Sequence, residues 1–349
     1  MGKVIVVASG KGGTGKTTLT ANLGAALAMR DKSVVVVDMD MGLRNLDVAL
    51  GLESSIVYDI ADVIEESCTL DDALIKHRSF DSLFFIPAPQ TRDASSIGAS
   101  VIAKKNSFEP ENEEAVDNSD EDDKESEILA EQDEGKAETE QEASQLPDED
   151  STEAELQEKT DDNSEKESED EGKKEEVTLE QIWRNFWTRL SERFDYCIID
   201  SPAGIEGGFK YAVYGADEAI IVTLAETAAL RDADRVVDVL EDAGIEDARL
   251  VINRIRPDMI TKGIMMNIDT CIEMLEIPIL GIIGDDEELI SSSLKGELAV
   301  NNELSHAGTA IRNIASRILG EDVPIMEFKD KTKRSIWDII KGIFSRRKE

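Results

Sequence analysis

Near its N-terminus the chain reads Gly10-Lys11-Gly12-Gly13-Thr14-Gly15-Lys16-Thr17, which satisfies the pattern G-x-x-x-x-G-K-[ST]. This stretch follows the apolar run Val4–Val7 and opens the helix-period segment Thr17–Met29, the context that the pattern requires. Its glycines let the backbone curl so that successive N–H groups point at phosphate oxygens, and the helix N-terminus adds its positive end. The sequence therefore predicts a phosphate-binding loop that extends to Thr18. A glycine-rich turn without a ligand is the alternative.

Two residues of the loop have a predicted role in chemistry. In loops of this pattern the lysine lies between the β- and γ-phosphates, and the hydroxyl that follows it ligates Mg²⁺. We therefore expect Lys16 to contact the reacting phosphate and Thr17 to be a magnesium ligand.

Acidic residues follow two of the predicted strands. Val34–Val37 leads into Asp38-Met39-Asp40, and Tyr196–Ile199 leads into Asp200. Because the carboxyl ends of central parallel strands face the ligand crevice, we expect Asp200 to hold Mg²⁺, directly or through water. Asp40 is predicted to position or deprotonate the attacking water, and the N–H of Gly204 to face the γ-phosphate. A helix cap is the alternative role for an Asp at a strand end.

The rest of the chain alternates short apolar runs with helix-period segments. The runs are nearly continuous in apolar residues, which is the pattern of strands buried on both faces of a parallel sheet. They are Val4–Val7, Val34–Val37, Leu83–Ile86, Tyr196–Ile199, Ala219–Thr223, Leu250–Ile252 and Ile279–Ile283. We therefore predict one doubly wound α/β domain with a mostly parallel sheet, formed by residues 1–105 and 177–328.

Residues 106–176 interrupt this pattern with an acidic segment. They hold 32 Asp and Glu, 6 Lys and no Arg, and so contribute −26 of the formal net charge of −38. Only 11 of the 71 residues are apolar, too few to offset the entropy of ordering them. We predict a disordered insert; a charged helical hairpin is the alternative. The fold resumes at Thr178 and Gln181, which have capping-box spacing before an apolar helical face.

Composition also bears on the compartment. The three cysteines, Cys68, Cys197 and Cys271, show no metal-like spacing, which fits a reducing cytosol. No early stretch resembles a secretion signal, and no apolar run reaches about 18 residues. We therefore expect a cytoplasmic protein unless its C-terminus attaches it to another structure. The strong acidity argues against a generally DNA-binding chain.

Residues 329–349 differ from the rest because they carry 8 basic and 3 acidic residues, a local charge of +5. At 100° per residue an apolar face forms, with cations flanking it. Aromatic residues beside cations suit the headgroup boundary of an anionic membrane. We predict an amphipathic helix that holds the chain peripherally on the inner face of the cell membrane; an ordinary helix packed on the domain is the alternative. The predicted membrane contacts are Ile336, Trp337, Ile340, Ile343 and Phe344.

Lys11, directly after the first glycine of the loop, is not required by the general phosphate-loop pattern. With the other motifs it resembles the deviant Walker A ATPases, the MinD/ParA class; a solvated surface lysine is the alternative. The segments that narrow the resemblance to the MinD family are Asp40–Asp47 (DMGLRNLD), Pro87–Asp93 (PAPQTRD), Asp200–Glu206 (DSPAGIE) and Arg231–Arg235 (RDADR).

The resemblance implies an ATP-hydrolysing, membrane-cycling regulator of septum placement with ATP and Mg²⁺ as cofactors. It implies a nucleotide-bridged homodimer in which Lys11 reaches the partner's phosphates. Implied partners are anionic lipid, a MinC-like septum inhibitor and a MinE-like activator or another polar anchor, with no direct nucleic acid. A DNA-partitioning ParA-type ATPase and a flagellum- or pilus-positioning ATPase are the alternatives.

The resemblance also places adenine at Asn253 and Arg254. Around that position the chain departs from the family at three points. Gly284-Asp285-Asp286 stands where the family carries Pro-Glu, Leu224-Ala225 where it carries Asn-Pro, and Leu294 where it carries Asn.

Overall fold

The computed structural model describes residues 1–106 and 177–326. The predicted insert at 106–176, apart from Asn106, and the predicted amphipathic tail at 329–349 lie outside the described residues. Those two predictions, and the five proposed membrane contacts in the tail, therefore stay predictions.

An eight-stranded sheet forms the centre of the described domain, in the order β3-β4-β2-β5-β1-β6-β7-β8. Every neighbouring pair is parallel except β3 and β4. The strands are β1 (Lys3–Ala8), β2 (Val34–Asp38), β3 (Ile75–Lys76), β4 (Leu83–Ile86), β5 (Tyr196–Asp200), β6 (Glu218–Leu224), β7 (Ala248–Ile255) and β8 (Ile279–Gly284). All seven predicted strands are confirmed. The edge strand β3 was not predicted, because two residues give no readable period.

Twelve α-helices connect and flank these strands in the described residues. They are α1 (Lys16–Ala28), α2 (Leu46–Leu50), α3 (Ile60–Ile64), α4 (Leu70–Ala73), α5 (Ala99–Asn106), α6 (Leu179–Arg193), α7 (Phe209–Val213), α8 (Thr227–Asp242), α9 (Pro257–Thr261), α10 (Ile268–Leu275), α11 (Glu287–Leu294) and α12 (His306–Ile318). Two short 3₁₀ turns, Glu53–Ser55 and Ala299–Asn301, complete the list.

The sheet separates two hydrophobic cores, which explains why its strands are apolar throughout. Along β1, Val4 and Val6 face the core that contains α6, α8 and α10, whereas Ile5 and Val7 face the core that contains α1 and α12. All four side chains are at most 3% exposed. Burying one such side chain stabilises the fold by about 1.5–3 kcal/mol. The doubly wound α/β architecture predicted from the sequence is therefore confirmed.

Helix α6 begins where the sequence predicted that regular structure resumes. Thr178 and Gln181 form the predicted capping box: the Thr178 N–H donates to Gln181 Oε1 over 2.9 Å, and the Gln181 N–H donates to Thr178 Oγ1 over 3.3 Å. Trp183 and Trp187 are buried on its apolar face, and Trp187 Nε1 donates to the Tyr211 carbonyl oxygen over 2.9 Å. This helix therefore covers part of one face of the sheet, beside α8 and α10.

Candidate active site

The phosphate loop connects β1 to α1, and two of its glycines are required by close contacts. A Cβ on Gly10 would lie 2.2 Å from the main-chain carbonyl of Asp232 in α8. Gly15 caps α1 with a φ of +98°, and a Cβ there would lie 2.2 Å from Asn253 Nδ2. A side chain at either position would displace the loop, because both neighbouring segments are held by the sheet and by α8.

The loop has the properties of an anion cradle. Gly15 brings no side chain to the first N–H groups of α1, and the first turn of that helix contains no acidic residue. These N–H groups and the positive end of the helix therefore stay directed at the loop. Lys16 is 7% exposed, and the buried Thr14 hydroxyl has no hydrogen-bond partner. A buried cation, an unpaired hydroxyl and uncapped N–H groups fit a phosphate chain.

Asp200 lies at the end of β5, next to the first turn of α1. The Thr17 hydroxyl hydrogen-bonds to its carboxylate, and Thr20 Oγ1 donates to Asp200 Oδ1 over 3.4 Å. Burial raises the pKa of Asp200 to about 6, although Lys16 and the Thr17 bond act in the opposite direction. Within the described residues no group of three or more His, Cys, Asp and Glu could hold a metal ion. One hydroxyl beside one carboxylate nevertheless fits Mg²⁺, which keeps waters and phosphate oxygens as its other ligands.

Asp38, to which the sequence analysis gave no role, lies in register with Asp200 on the neighbouring strand. It is fully buried and accepts hydrogen bonds from the Asp40 N–H over 2.9 Å and from the Leu46 N–H over 3.3 Å. Burial, followed by repulsion from Asp200, raises the pKa of Asp38 to about 8. The raised pKa favours the protonated form of Asp38, and the two hydrogen bonds that it accepts fasten the loop that presents Asp40. In the sequence, the one signal that could have pointed to Asp38 was the presence of two acids, Asp38 and Asp40, at the end of the same strand.

Asp40 lies between the phosphate loop and an open cavity of about 440 Å³. Its carboxyl is half-buried; burial raises its pKa, and the charge of Lys16 lowers it. A carboxylate that interacts electrostatically with Lys16 and is also accessible to solvent is suited to orient or deprotonate a water molecule beside the loop. The cavity is also lined by Met39, Met41, Asp93, Ala94, Ser95, Pro202, Ile205, Gly207, Gly208, Lys210 and Tyr211.

The Lys11 side chain and the Gly204 N–H each have a partner within the chain in this structure. Lys11 Nζ lies 3.6 Å from Glu226 Oε2, and both side chains are substantially exposed to solvent. The N–H of Gly204 donates to the Ser9 carbonyl oxygen over 2.9 Å. In this structure Gly204 therefore does not direct its N–H into the loop as we expected, because that N–H secures the turn after β5 to the end of β1.

A second cavity, of about 330 Å³, lies beside the loop and brings together Gly15, Thr18, Asn253 and Arg254. Asn253 Nδ2 donates to the Thr14 carbonyl oxygen over 2.7 Å, and Asn253 Oδ1 accepts from the Arg254 N–H over 2.8 Å. Both polar atoms of this amide thus have protein partners, so Asn253 holds the phosphate loop in place. From the sequence, only a contact between Asn253 and the base was expected.

The two buried carboxyls make a pH dependence testable. Because the pKa of Asp38 is raised in the folded state, the folded chain binds a proton that the unfolded chain has released above about pH 4. We therefore expect the free energy of unfolding to fall as pH rises from about 4 to 8, by up to about 1.4 kcal/mol per pH unit for this group. Urea unfolding without nucleotide should show a smaller fall for Asp38→Asn than for the wild type. Equal slopes would contradict the proposed protonation of Asp38.

The family model of the CobQ/CobB/MinD/ParA nucleotide binding domain matches residues 5–300. The septum site-determining protein MinD of Bacillus subtilis is 39% identical over 335 residues, which cover 95% of this chain and 95% of that relative.

Solved structures give a consistent result. The MinC:MinD cell division protein complex of Aquifex aeolicus superposes with a TM-score of 0.65 and 30% identity, over 94% of this chain and 100% of the other. The septum site-determining protein MinD of Pyrococcus horikoshii, complexed with Mg-ADP, has a TM-score of 0.61 at 22% identity, over 93% of this chain and 100% of that one. At this level of identity, the similarity to the Pyrococcus protein is evidence of a shared fold only.

Proposed function

Because the chain belongs to the septum site-determining MinD proteins of the CobQ/CobB/MinD/ParA nucleotide-binding family, we propose that its phosphate loop binds Mg²⁺-ATP between two copies of the chain. Family membership makes the chain an ATPase, with ATP and Mg²⁺ as cofactors, that regulates where the division septum forms. The observation that carries the residue assignments is the grouping of buried Lys16 and buried Asp200 with the Thr17 hydroxyl, which hydrogen-bonds to Asp200, at the N-terminus of α1.

The phosphate loop and the adjacent Asp200 are the proposed binding site for the phosphates and for Mg²⁺. Lys16 and the N–H groups at the start of α1 hold the β- and γ-phosphates. These protein groups supply positive charge and hydrogen-bond donors at the loop. Thr17 and Asp200 would hold Mg²⁺, which would neutralise the charge that develops on the phosphate oxygens. Lys16 and the Thr17 hydrogen bond lower the pKa of Asp200 against the effect of burial, which favours the ionised carboxylate that a metal requires.

Asp40 is the proposed group that acts on water. It lies close enough to Lys16 for that charge to lower its pKa, and it also lines a cavity that is open to solvent. Asp38 keeps Asp40 in place by accepting its main-chain N–H. In this arrangement Asp40 orients the attacking water and accepts its proton, while Asp38 acts as a positioning residue.

Lys11 is the proposed contact between the two copies. Its ion pair with Glu226 spans 3.6 Å at the surface, and exposed pairs of this kind are worth only about 0.2–1 kcal/mol. Exchange of Glu226 for a phosphate of the partner copy is therefore inexpensive in free energy. Dimerisation would then depend on ATP, because the triphosphate supplies the charge that Lys11 meets across the interface.

The membrane step is proposed from the tail sequence. Among the described residues no helix is both long and apolar enough to cross a bilayer. Residues 329–349 combine a charge of +5 with an apolar face, which suits reversible binding to anionic lipid. One short helix binds weakly, but two helices on one dimer gain avidity of about 10²–10⁴. ATP-dependent pairing thereby becomes attachment to the inner face of the membrane, and hydrolysis becomes release.

Partners follow from the same membership. The Aquifex aeolicus relative has been solved as a complex with MinC. We propose that the homodimer of this chain likewise engages a MinC-like septum inhibitor, together with a MinE-like activator or another polar anchor.

Sedimentation with vesicles tests this function. We expect the full-length chain to pellet with anionic vesicles in Mg²⁺-ATP and to stay mostly in the supernatant in Mg²⁺-ADP. A variant truncated after residue 328 should not pellet with either nucleotide, and neutral vesicles provide the matched control. Lipid binding that survives truncation would contradict the proposed tail, and ATP-dependent pelleting with duplex DNA instead would indicate a partitioning ATPase.

A further inference from the structure

The turn between β2 and α2 sets the position of Asp40. The Asp40 carbonyl oxygen accepts the N–H groups of Leu43 over 3.2 Å and of Arg44 over 3.3 Å. The carboxyl of Asp38 accepts the N–H groups of Asp40 and Leu46, which lie at the two ends of the same turn. A change in the backbone of this turn would therefore move the carboxyl that is proposed to act on water.

Arg44 has an unfavourable backbone conformation in this turn. Its φ is +42°, in the left-handed region that glycine adopts freely and that other residues adopt at a cost in free energy. Such conformations persist only where the surrounding structure enforces them, and they cluster at functional sites. A specific contact is therefore needed to hold Arg44 in this conformation.

The Arg44 side chain makes such a contact. Its Nη2 lies 3.3 Å from Asp47 Oδ2, and the two side chains are 13% and 8% exposed. Asp47 is fixed in the first turn of α2, where its Oδ1 accepts the Val48 N–H over 2.8 Å. Within the described residues the buried Nε of Arg44 has no hydrogen-bond partner. A buried ion pair that leaves one donor unpaired is poorly explained by stability alone, because desolvation offsets its attraction.

We propose that Arg44 is a positioning residue for Asp40 in ATP hydrolysis. Its ion pair with Asp47 ties the left-handed residue to α2 and so keeps the Arg44 N–H on the Asp40 carbonyl oxygen. Arg44 thus acts on Asp40 through the main chain, whereas Lys16 acts on the Asp40 carboxyl by its charge. The inference rests on the proposed role of Asp40, and it adds a residue that is not among the proposed phosphate and metal contacts.

Turnover of Arg44 variants of the full-length chain under saturating ATP tests this role. Arg44→Ala removes the ion pair but keeps the steric cost, so kcat should fall about 10- to 100-fold while affinity for a slowly hydrolysed ATP analogue stays near wild type. Arg44→Gly adopts the left-handed conformation without that cost and should have a kcat about fivefold or more above that of Arg44→Ala. Glu276→Ala is the matched control: Glu276 has a φ of +52° at the end of α10, before β8 begins and away from the phosphate loop, and its kcat should equal that of the wild type.

Combination with Asp40→Ala separates this inference from the proposed function. If Arg44 acts only through Asp40, Asp40→Ala/Arg44→Ala should hydrolyse ATP no more slowly than Asp40→Ala alone. A further fall in the double variant, wild-type kcat in Arg44→Ala, or a kcat in Arg44→Gly as low as in Arg44→Ala would each overturn the positioning role. Wild-type kcat in Asp40→Ala would instead refute the proposed function of Asp40, and the inference with it. If an unpaired, buried Asp47 prevents Arg44→Ala from folding, Arg44→Ala/Asp47→Asn removes both charges and should show the same fall in kcat.

Discussion

Lys16→Ala should lose about 10- to 150-fold in affinity for Mg²⁺-ATP, the loss expected when a buried charge-assisted hydrogen bond worth about 1.5–3 kcal/mol is removed. Lys16 is 7% exposed and is a cation whose charge acts on both Asp40 and Asp200. Without it, the repulsion between these two carboxyls and the triphosphate is no longer offset by the charge of Lys16. Isothermal titration calorimetry with a slowly hydrolysed ATP analogue measures the loss directly.

The control for Lys16→Ala is Lys76→Ala, which removes a half-exposed lysine at the far edge of the sheet. Its affinity should equal that of the wild type. If Lys16→Ala bound ATP as tightly as Lys76→Ala does, Lys16 would not be a nucleotide contact. The comparison is matched because each variant loses one lysine side chain.

Asp40→Ala should retain ATP binding but lose about 10²- to 10⁴-fold in turnover, the usual contribution of a positioned acid or base. The reason is its place between Lys16 and the open cavity, where it is the proposed handler of the attacking water. A phosphate-release assay under saturating ATP separates turnover from binding. With ATP the variant should also remain on anionic vesicles, because release requires hydrolysis.

Asp93→Ala provides the comparison for Asp40→Ala. Asp93 lines the same cavity but is exposed at its rim, and its removal should change turnover little. Wild-type turnover in Asp40→Ala would exclude this carboxylate from the mechanism.

Features carried by one continuous segment could be predicted from the sequence. The phosphate loop, the strand ends at Asp40 and Asp200, and the capping box of α6 each have their signal within a few residues. The buried strands were equally readable, since a parallel sheet covered on both faces requires apolar side chains on both. For the same reason the doubly wound fold could be inferred from the sequence alone.

Contacts between distant segments could not be predicted. Asn253 reaches the Thr14 carbonyl oxygen across 239 residues of chain, and no local pattern indicates that this amide supports the phosphate loop. The ion pair between Lys11 and Glu226 is of the same kind. Gly204 shows the opposite error: its position after an acidic strand end suggested a free N–H, whereas Ser9, directly after β1, supplies a carbonyl oxygen as acceptor.

Asp38 was missed for a physical reason. Two acids two residues apart at a strand end look equivalent in sequence, but Asp38 is the last residue of β2 and is buried in the sheet, whereas Asp40 lies beyond the strand and lines the cavity. Burial then separates their functions, because a carboxyl with a pKa of about 8 keeps its proton and holds the loop. Only the register between β2 and β5 reveals which acid is which.

The central claim is that ATP joins two copies of the chain through Lys11, and its most direct test is a molar mass in solution. Light scattering of the full-length chain should give a monomer with Mg²⁺-ADP and a dimer with Mg²⁺ and a slowly hydrolysed ATP analogue. Lys11→Ala should bind the analogue with near wild-type affinity and stay monomeric. A wild-type chain that remains monomeric with the analogue bound, or a Lys11→Ala variant that dimerises normally, would contradict the account.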